Sequence, residues 1–398
     1  MATNKNDKTL NVPHLRFPEF SGEWKETTLG KIAEITKGSG ISKDQLSEQG
    51  SPCILYGELY TKYKSEIING VYSRTELDSS PLVKSKANDV IIPCSGETAI
   101  DISTARCVLF NNILLGGDLN IIRLKYDDGG FFAYQLNGAR KKDIARVAQG
   151  VSVVHLYGEN LKQIRVYYPN IDEQRKITHL LSLIDARIAT QNKIIEKYES
   201  LIKGLNNILL YGTGGKSVCL GDILLERSER SRTNNQHEVL SSTVKGIFSQ
   251  REYFSKDIAS ENNVGYKIIR LHDVVLSPQN LWMGNINYND RFEIGIVSPS
   301  YKVFSIADGY DNQFVAAMLK THRALYSYMM VSEQGASIVR RNLNMEAFSQ
   351  LVFKIPSLDK QREIGCAISL LKSQLKTANK LIRAYTSQKQ YLLRQMFI

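Results

Sequence analysis

Two segments of the chain carry apolar residues at alternating steps of four and three, which is the heptad pattern of helices that pack along their length. In the first segment these positions are Ile177, Leu181, Ile184, Ile188, Gln191, Ile195, Tyr198, Ile202, Leu205 and Leu209. Adding 187 to each number gives Ile364, Ile368, Leu371, Leu375, Ala378, Ile382, Tyr385, Lys389, Leu392 and Met396. The pattern predicts two helices of about 35 residues, each about 50 Å long. Polar Gln191 and Lys389 interrupt the seams, and such residues often set the register of a helix pair.

Each predicted helix follows nearly the same entry sequence. Residues 169–177 read PNIDEQRKI and residues 356–364 read PSLDKQREI. Shorter echoes lie upstream: LGKI at 29–32 with LGDI at 220–223, DVIIP at 89–93 with DVVL at 273–276, and QGVS at 149–152 with QGAS at 334–337. The chain is therefore an internal repeat of a globular segment followed by a long helix. Because the first helix leads into the second globular segment and the second helix leaves it, packing of the two helices makes them antiparallel.

The globular segments, about 20–170 and 216–355, predict α+β domains. Short runs such as DVIIP, NIIRLKY, QIRVYYP, KIIRL, YKVFSI and QLVFKIP read as strands between Gly, Asn and Asp turns. FFAYQLNGARKKDIARVAQG and FVAAMLKTHRALYSYMM read as helical. The Gly-rich stretch YGTGGKS at 211–217 follows a helix rather than a strand, so it predicts a linker and not a phosphate-binding loop.

The net charge of +11 is concentrated in the two predicted helices. Residues 174–210 hold six Lys and Arg against three Asp and Glu, and residues 361–398 hold seven against one. These excesses of 3 and 6 account for 9 of the 11 charges. The basic helices predict a surface for a partner or for a DNA backbone, or simply a solvated helix face.

Cysteine usage and hydropathy suggest a cytoplasmic protein. The five cysteines form no close pair, which argues against a zinc site and a disulfide framework and predicts reduced, mostly buried thiols. No run approaches the roughly 20 apolar residues that cross a bilayer. The polar first residues contain no apolar signal core, and we expect residues 1–19 to be flexible.

Motifs of catalysis are not found in this sequence. There is no Pro-Pro pair for a methyltransferase box, no phosphate loop for a motor and no GxSxG elbow. Asp118 and Lys125 lack the intervening acidic residue of a magnesium-dependent nuclease, and the six histidines lie far apart. The sequence predicts binding rather than catalysis, and neither a cofactor nor a metal ion is expected in the chain itself.

Candidate DNA-binding residues lie in polar turns at matching places in the two repeats. Lys and Arg suit phosphates, and Arg, Asn and Gln suit the edges of guanine and adenine in the major groove. Gly38 and Gly40 are expected to let the backbone approach a partner closely. The candidates are Lys37, Ser39, Lys43, Ser95, Gln149, Ser152, Arg227, Arg230, Gln279, Asn280, Trp282, Gln334, Ser337, Arg340 and Arg341.

On these motifs, the chain closely resembles the specificity (S) subunit of type I restriction-modification systems. The resemblance rests on Trp24 and on a series of elements that occurs twice in the same order. This series is LGxI, QGxS, the Pro-x-x-Asp-x-Gln-x-x-Ile entry and the long helix. The second copy has Lys360 where the first has Glu173, and it lacks a counterpart of Trp24. This departure suggests that the two helix heads need not bind identically.

The resemblance implies two α/β target-recognition domains joined by an antiparallel intramolecular coiled coil. The boundaries expected on this basis are a flexible segment at 1–19, a first domain at 20–173, a first spacer helix at 174–210, a linker at 211–215, a second domain at 216–360 and a second spacer helix at 361–398.

The function implied by the resemblance is DNA recognition without catalysis. Each domain would read one half of a bipartite, asymmetric site in double-stranded DNA. The helices would separate the half-sites and hold two methyltransferase subunits, with restriction subunits joining the complex. S-adenosylmethionine, ATP and magnesium are then expected only in those partner subunits. The alternatives are a coiled-coil scaffold whose repeated domains bind protein and, less well supported, a self-sufficient restriction enzyme.

Overall fold

The structure is a computed structural model that describes residues 10–211, 214–253, 262–334 and 341–398, without the side chains of 207–211 and 253. It divides into two compact units, and each long helix contributes to both. Unit 1 contains the chain up to Asn192 together with Lys380–Ile398, and unit 2 contains Lys193–Asn379. This division falls within the long helices, whereas the sequence-based boundaries fall at their ends.

Unit 1 combines short strands with short helices and the start of the first long helix. Its strands are β1 (Lys25–Thr28), β2 (Ala33–Lys37), β3 (Ser51–Ile54), β4 (Ile67–Ile68), β5 (Ser73–Thr75), β6 (Asp89–Pro93), β7 (Ser95–Gly96), β8 (Arg106–Val108), β9 (Leu114–Leu115), β10 (Leu119–Leu124), β11 (Val154–His155) and β12 (Arg165–Tyr168). Its helices are α1 (Leu29–Ile32), α2 (Glu58–Thr61), α3 (Ala99–Ile102), α4 (Gly129–Asn137), α5 (Lys141–Val147), α6 (Gly158–Lys162) and the first part of α7 (Ile171–Tyr211). The largest sheet has the order β2-β10-β6-β8-β4, beside a sheet β5-β3-β9 and the pairs β1-β12 and β7-β11.

Unit 2 repeats this arrangement with fewer strands in its main sheet. Its strands are β13 (Lys216–Cys219), β14 (Leu224–Arg227), β15 (Leu240–Thr243), β16 (Gly246–Ser249), β17 (Lys267–Arg270), β18 (Val274–Leu276), β19 (Ile286–Tyr288), β20 (Ile294–Val297), β21 (Lys302–Ile306), β22 (Ser332–Gln334), β23 (Arg341–Leu343) and β24 (Val352–Ile355). Its helices are α8 (Leu220–Ile223), α9 (Gln250–Tyr253), α10 (Asn312–Met318), α11 (His322–Met330), α12 (Met345–Ser349) and most of α13 (Leu358–Gln395). The main sheet has the order β14-β21-β18-β19, with the pairs β13-β24, β15-β16, β17-β20 and β22-β23.

The two main sheets share their strand order and an ion pair. The order β2-β10-β6-β8 of unit 1 corresponds to β14-β21-β18-β19 of unit 2. In each sheet a buried aspartate pairs with an arginine of another strand. Asp89 at the start of β6 pairs with Arg123 of the adjacent β10, and Asp273 just before β18 pairs with Arg227 of β14, which lies on the far side of β21. Helix α4 packs on β6 and β8 in unit 1. The predicted α+β class and repeated architecture are therefore confirmed.

The heptad seams are the less exposed faces of both long helices. Every seam residue from Ile177 to Leu205 is buried or half-buried, and so is every seam residue of the second series. Ile177 and Leu181 are buried in the core of unit 1, and Ile364 and Ile368 are buried in that of unit 2. The side chain of Leu209 lies outside the described residues. The 3.5-residue period thus locates both the helices and their packing face.

The two helices run antiparallel where both are present in unit 1. Asp185 contacts Lys389, and Arg187 contacts Tyr385, so the second residue number falls as the first rises. Leu181 and Leu392 share one hydrophobic core. These pairs confirm the antiparallel arrangement that the connectivity predicts.

The repeated glutamine fastens each long helix to its own domain. The Gln174 side chain accepts a hydrogen bond from the backbone N–H of Asp128 at 2.9 Å and donates to the carbonyl of Pro169 at 3.0 Å. In unit 2, Gln361 accepts from Asp311 N–H at 3.0 Å and donates to the carbonyl of Pro356 at 2.9 Å. Asp128 and Asp311 are the N-caps of α4 and α10. The entry sequence occurs twice because the same buried contact between domain and helix occurs in both units.

The departure of the second entry sequence is explained by the N-terminal segment. Glu173, whose side chain is fully buried, forms an ion pair with Arg16 at 2.7 Å and accepts a hydrogen bond from Trp24 Nε1 at 3.3 Å. Lys360 replaces Glu173 in the second copy and instead pairs with Glu363 at its surface. Glu173 and Trp24 are therefore parts of one cluster, and the second copy lacks both of them together.

The same contacts order part of the segment that was expected to be flexible. The backbone N–H of Leu15 donates to the carbonyl of Gln395, and Trp24 packs against Phe397. The structure differs from the prediction for residues 10–19, because the C-terminal end of α13 returns to unit 1 and supplies a surface for them. Residues 1–9 lie outside the described part of the chain.

Lys389 interrupts the second seam because it neutralises two buried carboxylates. Its Nζ lies 2.6 Å from Asp185 Oδ1 and also pairs with Glu66. Tyr134 donates a hydrogen bond to the other oxygen of Asp185 at 2.7 Å. The residue of α7 at the equivalent heptad position is Ile202, so this polar cluster belongs to unit 1 alone. A buried ion pair of this kind favours one register of the helices over others.

Candidate nucleic-acid interface

A β-hairpin and a loop meet in the same way in both units, and we call this meeting point the hairpin junction. In unit 1 the segment after β6 contains Ser95, the first residue of the short strand β7, and the hairpin contains Gln149 and His155. Gln149 and His155 pair through two backbone hydrogen bonds, and His155 is also in register with Ser95. The turn of the hairpin is the QGVS element, in which Gly150 has φ of +117°, a conformation that favours glycine.

The hairpin junction of unit 2 uses residues at the matching places. Gln334 pairs with Arg341 in the β22–β23 hairpin, and the Arg341 N–H donates to the carbonyl of Gln279 at 3.2 Å. Ser95 and Gln279 each lie six residues after the buried aspartate, Asp89 or Asp273. The two junctions are therefore built from the same three sequence elements.

An aromatic ring supports the residue at the base of each hairpin. In unit 1 the rings of His155 and Tyr157 are stacked with centroids 6.2 Å apart. In unit 2 the Arg341 guanidinium lies 5.2 Å from the centre of the Trp282 ring. Trp282 lies in a short 3-10 helix, Leu281–Met283, which begins after Asn280 and ends at Gly284 with φ of +94°. Each unit thus presents a stacked, polar side chain at its junction.

Lys37, Asp118 and Cys94 lie next to the junction of unit 1. Ser95 donates a hydrogen bond to Asp118 Oδ2 at 3.2 Å. Burial raises the pKa of the Cys94 thiol to about 11, and Lys37 nearby opposes this shift while Asp118 adds to it. Lys37 is exposed at the end of β2 and is paired in the sheet with Asn120, two residues after Asp118.

A groove of about 1020 Å³ begins at Asp118 and continues along unit 1. Lys43 and Lys62 line it, as do Tyr56 and Tyr60, which are each about one-third exposed. Cations and exposed aromatic rings together are suited to sugar-phosphate chains and bases. Lys43 is distant from the hairpin junction in the sequence. It nevertheless lines the same groove as Asp118, which is hydrogen-bonded to Ser95 of the junction.

The structure gives some candidates architectural contacts. Ser39 donates its backbone N–H to the carbonyl of Leu115 and accepts a hydrogen bond from Val83 N–H at 2.7 Å through its hydroxyl. Arg227 pairs with Asp273 at 2.9 Å and with Glu229 at 3.0 Å. Arg230 donates to the carbonyl of Gly265 at 2.9 Å. These residues hold their own domain together, which leaves less of each side chain available to a partner.

At Gly38 the close approach is made by the backbone of the same chain. A Cβ atom at Gly38 would lie 2.0 Å from the carbonyl oxygen of Gly116. A Cβ at Gly40 would meet no atom within 4 Å. Close approach at Gly38 is therefore a requirement of strand packing, and only Gly40 faces open space.

The remaining candidates divide between the junctions and the part of the chain outside the described residues. Ser152 is exposed in the hairpin turn of unit 1, and Gln279 and Gln334 are exposed in unit 2. Ser337 and Arg340 lie outside the described residues. Sequence reasoning missed His155 and Tyr157, because a single histidine carries little information by itself. Its position at the end of the QGVS hairpin, where Arg341 follows QGAS, was the available signal.

The first repeat matches the model of a known protein family. Residues 21–200 match the model of the type I restriction modification DNA specificity domain. The match spans less than half of the chain, from the first globular segment into the first long helix. The resemblance read from the sequence is therefore confirmed, and the segment includes the first hairpin junction and the entry of α7.

Solved structures extend the likeness to nearly the whole chain. An S subunit of a type I restriction-modification system from M. genitalium has a TM-score of 0.64 at 16% identity, covering 97% of this chain and 99% of that one. A chain from a structural study of complex assembly and conformational transition of the type I restriction-modification system has a TM-score of 0.50 at 12% identity, covering 94% and 97%. No curated protein matched the chain. At these identities the likeness shows that the chain has the fold of these subunits.

The described helices include none that is both long and apolar enough to span a membrane. The five cysteines are free: Cys53, Cys94 and Cys107 are buried, Cys219 is half-buried and Cys366 is exposed. The prediction of mostly buried thiols is confirmed for three of the five.

Proposed function

We propose that the chain is the DNA-recognition subunit of a type I restriction-modification complex. The observation that carries the proposal is that residues 21–200 match the model of a DNA specificity domain and that unit 2 repeats the sheet order, helix attachment and hairpin junction of unit 1. Two domains of one design but different surface residues suit a site with two unlike halves. Each unit then reads one half of a bipartite sequence in double-stranded DNA.

Base reading is assigned to the hairpin junctions, and backbone contact to the surrounding cations. Ser95, Gln149, Ser152 and His155 supply hydrogen-bonding groups in unit 1, and Gln279, Asn280, Gln334 and Arg341 supply them in unit 2. Lys37 and Lys43 contribute charge, which suits phosphates. This division follows from chemistry, because amide and guanidinium groups match base edges while an ammonium group is a point charge.

Partner subunits dock, in this proposal, on exposed apolar residues of the long helices. Leu183 and Ile194 of α7 are 49% and 37% exposed, and Leu370 and Leu381 of α13 are 60% and 40% exposed. Adding 187 to the numbers of Leu183 and Ile194 gives Leu370 and Leu381, so each repeat carries exposed leucine or isoleucine at the same two positions. A duplicated apolar surface suits two copies of one partner, here the methyltransferase subunit, with restriction subunits joining afterwards.

The chain itself is proposed to be non-catalytic, with S-adenosylmethionine, ATP and magnesium bound by its partners. Its mechanism is positioning, which holds the methyltransferase over an adenine that must leave the helical stack to react. The purified chain should therefore transfer no methyl groups alone, and activity should appear when the methyltransferase subunit is added. Methyl transfer by the chain alone would contradict this assignment.

The decisive experiment is methylome sequencing of a methylation-deficient host that expresses the chain with a methyltransferase subunit. Methylated adenines should occur in a split motif, and exchange of residues 216–355 for those of another such subunit should change one half only. A stable complex with an active partner that methylates no defined site would favour the protein-binding scaffold instead.

A further inference from the structure

The hairpin junction of unit 2 contains an arginine, Arg341, whose contacts differ from those of three other arginines of the unit. Arg227, Arg270 and Arg291 each pair with a carboxylate at 3.0 Å or less. Among the described residues, Arg341 forms no ion pair, and its buried Nε has no hydrogen-bond partner. Its guanidinium stacks on the ring of Trp282. A partly buried guanidinium without a counter-charge is suited to an external acceptor.

Stacking on Trp282 restricts the orientation of the Arg341 side chain. The backbone N–H of Arg341 is fixed to Gln279, and the guanidinium lies over the indole ring, so both ends of the side chain are held. A held guanidinium loses less conformational entropy when it binds, and its planar fork donates two parallel hydrogen bonds. This geometry suits the binding of a planar group that presents two adjacent hydrogen-bond acceptors.

Guanine presents such an edge in the major groove of DNA. Its O6 and N7 are adjacent acceptors, whereas adenine places an N6 amino donor beside N7 and repels a guanidinium. A phosphate also offers two acceptors, but it does not depend on base identity. Base specificity therefore separates these two partners of Arg341.

We propose that Arg341, held by Trp282, reads a guanine in the half-site bound by unit 2, an inference that rests on the proposed function. His155 on Tyr157 stands at the same place in unit 1. Its imidazole lacks the two-pronged fork, so the two half-sites are read by different chemistry at this position.

The test uses the complex of the full chain with its methyltransferase subunit and duplexes that carry the methylated motif. The half-site of unit 2 is the one altered by the exchange of residues 216–355. Each guanine in that half-site is replaced in turn by 7-deazaguanine, which lacks the N7 acceptor. One replacement should weaken binding of the wild-type complex by about 5- to 150-fold. Arg341→Ala should bind the normal and replaced duplexes with equal affinity.

Two variants give the controls. Arg341→Lys keeps the charge but loses the fork, so it should retain affinity for DNA yet lose most of the discrimination. His155→Ala, the matched change in unit 1, should keep the full response to 7-deazaguanine in the half-site of unit 2.

Three results would overturn the inference: a half-site without guanine, a wild-type complex that tolerates every replacement, or an Arg341→Ala complex that binds all sequences more weakly yet still responds to 7-deazaguanine. The first two need only the wild-type chain, so they decide even if a variant fails to fold. Absence of any site-specific methylation would instead contradict the proposed function.

Discussion

Single polar residues define the recurring contacts of this protein. Gln174 and Gln361 are buried, and each satisfies one donor and one acceptor of the backbone at the head of its long helix. If such a buried amide is removed, its backbone N–H and carbonyl partners stay buried without hydrogen bonds. The free-energy cost of these unsatisfied groups exceeds the net contribution of the hydrogen bonds themselves. These residues are repeated because the same contact is needed where each long helix leaves its own globular domain.

Replacement of either glutamine should therefore destabilise its own unit. Gln174→Ala and Gln361→Ala should each lower the free energy of unfolding by about 1–3 kcal/mol. Chemical denaturation followed by circular dichroism measures this change. Gln388→Ala is the matched control, since Gln388 is exposed on α13 and should change stability by less than about 0.5 kcal/mol. Equal effects at exposed and buried positions would contradict the proposed role of these contacts.

At the residue scale, the sequence identified the elements of the two hairpin junctions but not which side chains pair with each other. QGVS and QGAS marked both hairpins, and Gln279 and Trp282 were chosen because of their side-chain chemistry. Arg227 was chosen for the same reason, yet its guanidinium is used by Asp273. Side-chain type alone cannot tell a free arginine from a paired one, because the pairing partner lies 46 residues away in the chain.

Helix interiors show how one residue type has opposite effects at two places. Gly204 of α7 has open space where a Cβ atom would lie, whereas a Cβ at Gly365 of α13 would lie 2.3 Å from Asp311 Oδ1. Glycine lowers helix stability because its backbone is more flexible in the unfolded chain. Only at Gly365 does the packing of a neighbouring element require it.

Alanine should thus stabilise one helix and destabilise the other. Gly204→Ala should raise the free energy of unfolding by about 0.5–1 kcal/mol. Gly365→Ala should lower it by about 1–3 kcal/mol, because Asp311 must move from its capping position. Thermal unfolding of the two variants side by side provides the measurement and the control. A gain of stability at Gly365 would show that α10 can shift without loss.

The seam of the long helices depends on Lys389 in unit 1. Removal of this charge leaves Asp185 and Glu66 buried without their cation. Lys389→Met should lower the free energy of unfolding by about 3–5 kcal/mol, even though methionine is apolar and similar in length. Ile202→Met, at the equivalent seam position of α7, is the matched control and should have an effect below about 1.5 kcal/mol.

Denaturant titration of both variants shows whether Lys389 is present in the seam for its charge or only for its length. If Lys389→Met is as stable as the wild type, the ion cluster contributes nothing and the seam tolerates any long side chain. A large loss confined to Lys389→Met would show that the register of α7 against α13 is fixed by charge in this unit.

At the scale of the whole molecule, the proposed function predicts that basic side chains bind DNA through separate phosphate contacts, whose effects add. The complex with the methyltransferase subunit should bind DNA more weakly as salt rises, with a slope of about −0.9 per neutralised phosphate in a plot of log affinity against log salt. Lys37→Ala should make this slope shallower by about one unit and lower affinity evenly across sequences.

Fluorescence anisotropy over a salt series measures both effects. Lys25→Ala removes the same charge from β1 instead of the end of β2, and it should leave the slope unchanged. An unchanged slope in Lys37→Ala would remove this residue from the DNA surface, and a salt-independent affinity of the whole complex would argue for the protein-binding scaffold.

The sequence by itself determined the repeat, the two long helices, their antiparallel course and the α+β class of the domains. These features are periodic or follow from chain connectivity, so a heptad or an echo at a spacing of 187 residues is enough to show them. The tertiary structure alone decided which polar residues meet. The pairing of Glu173 with Arg16, of Lys389 with Asp185 and of Arg341 with Trp282 depends on contacts between distant segments, and no local pattern encodes the distance between two side chains.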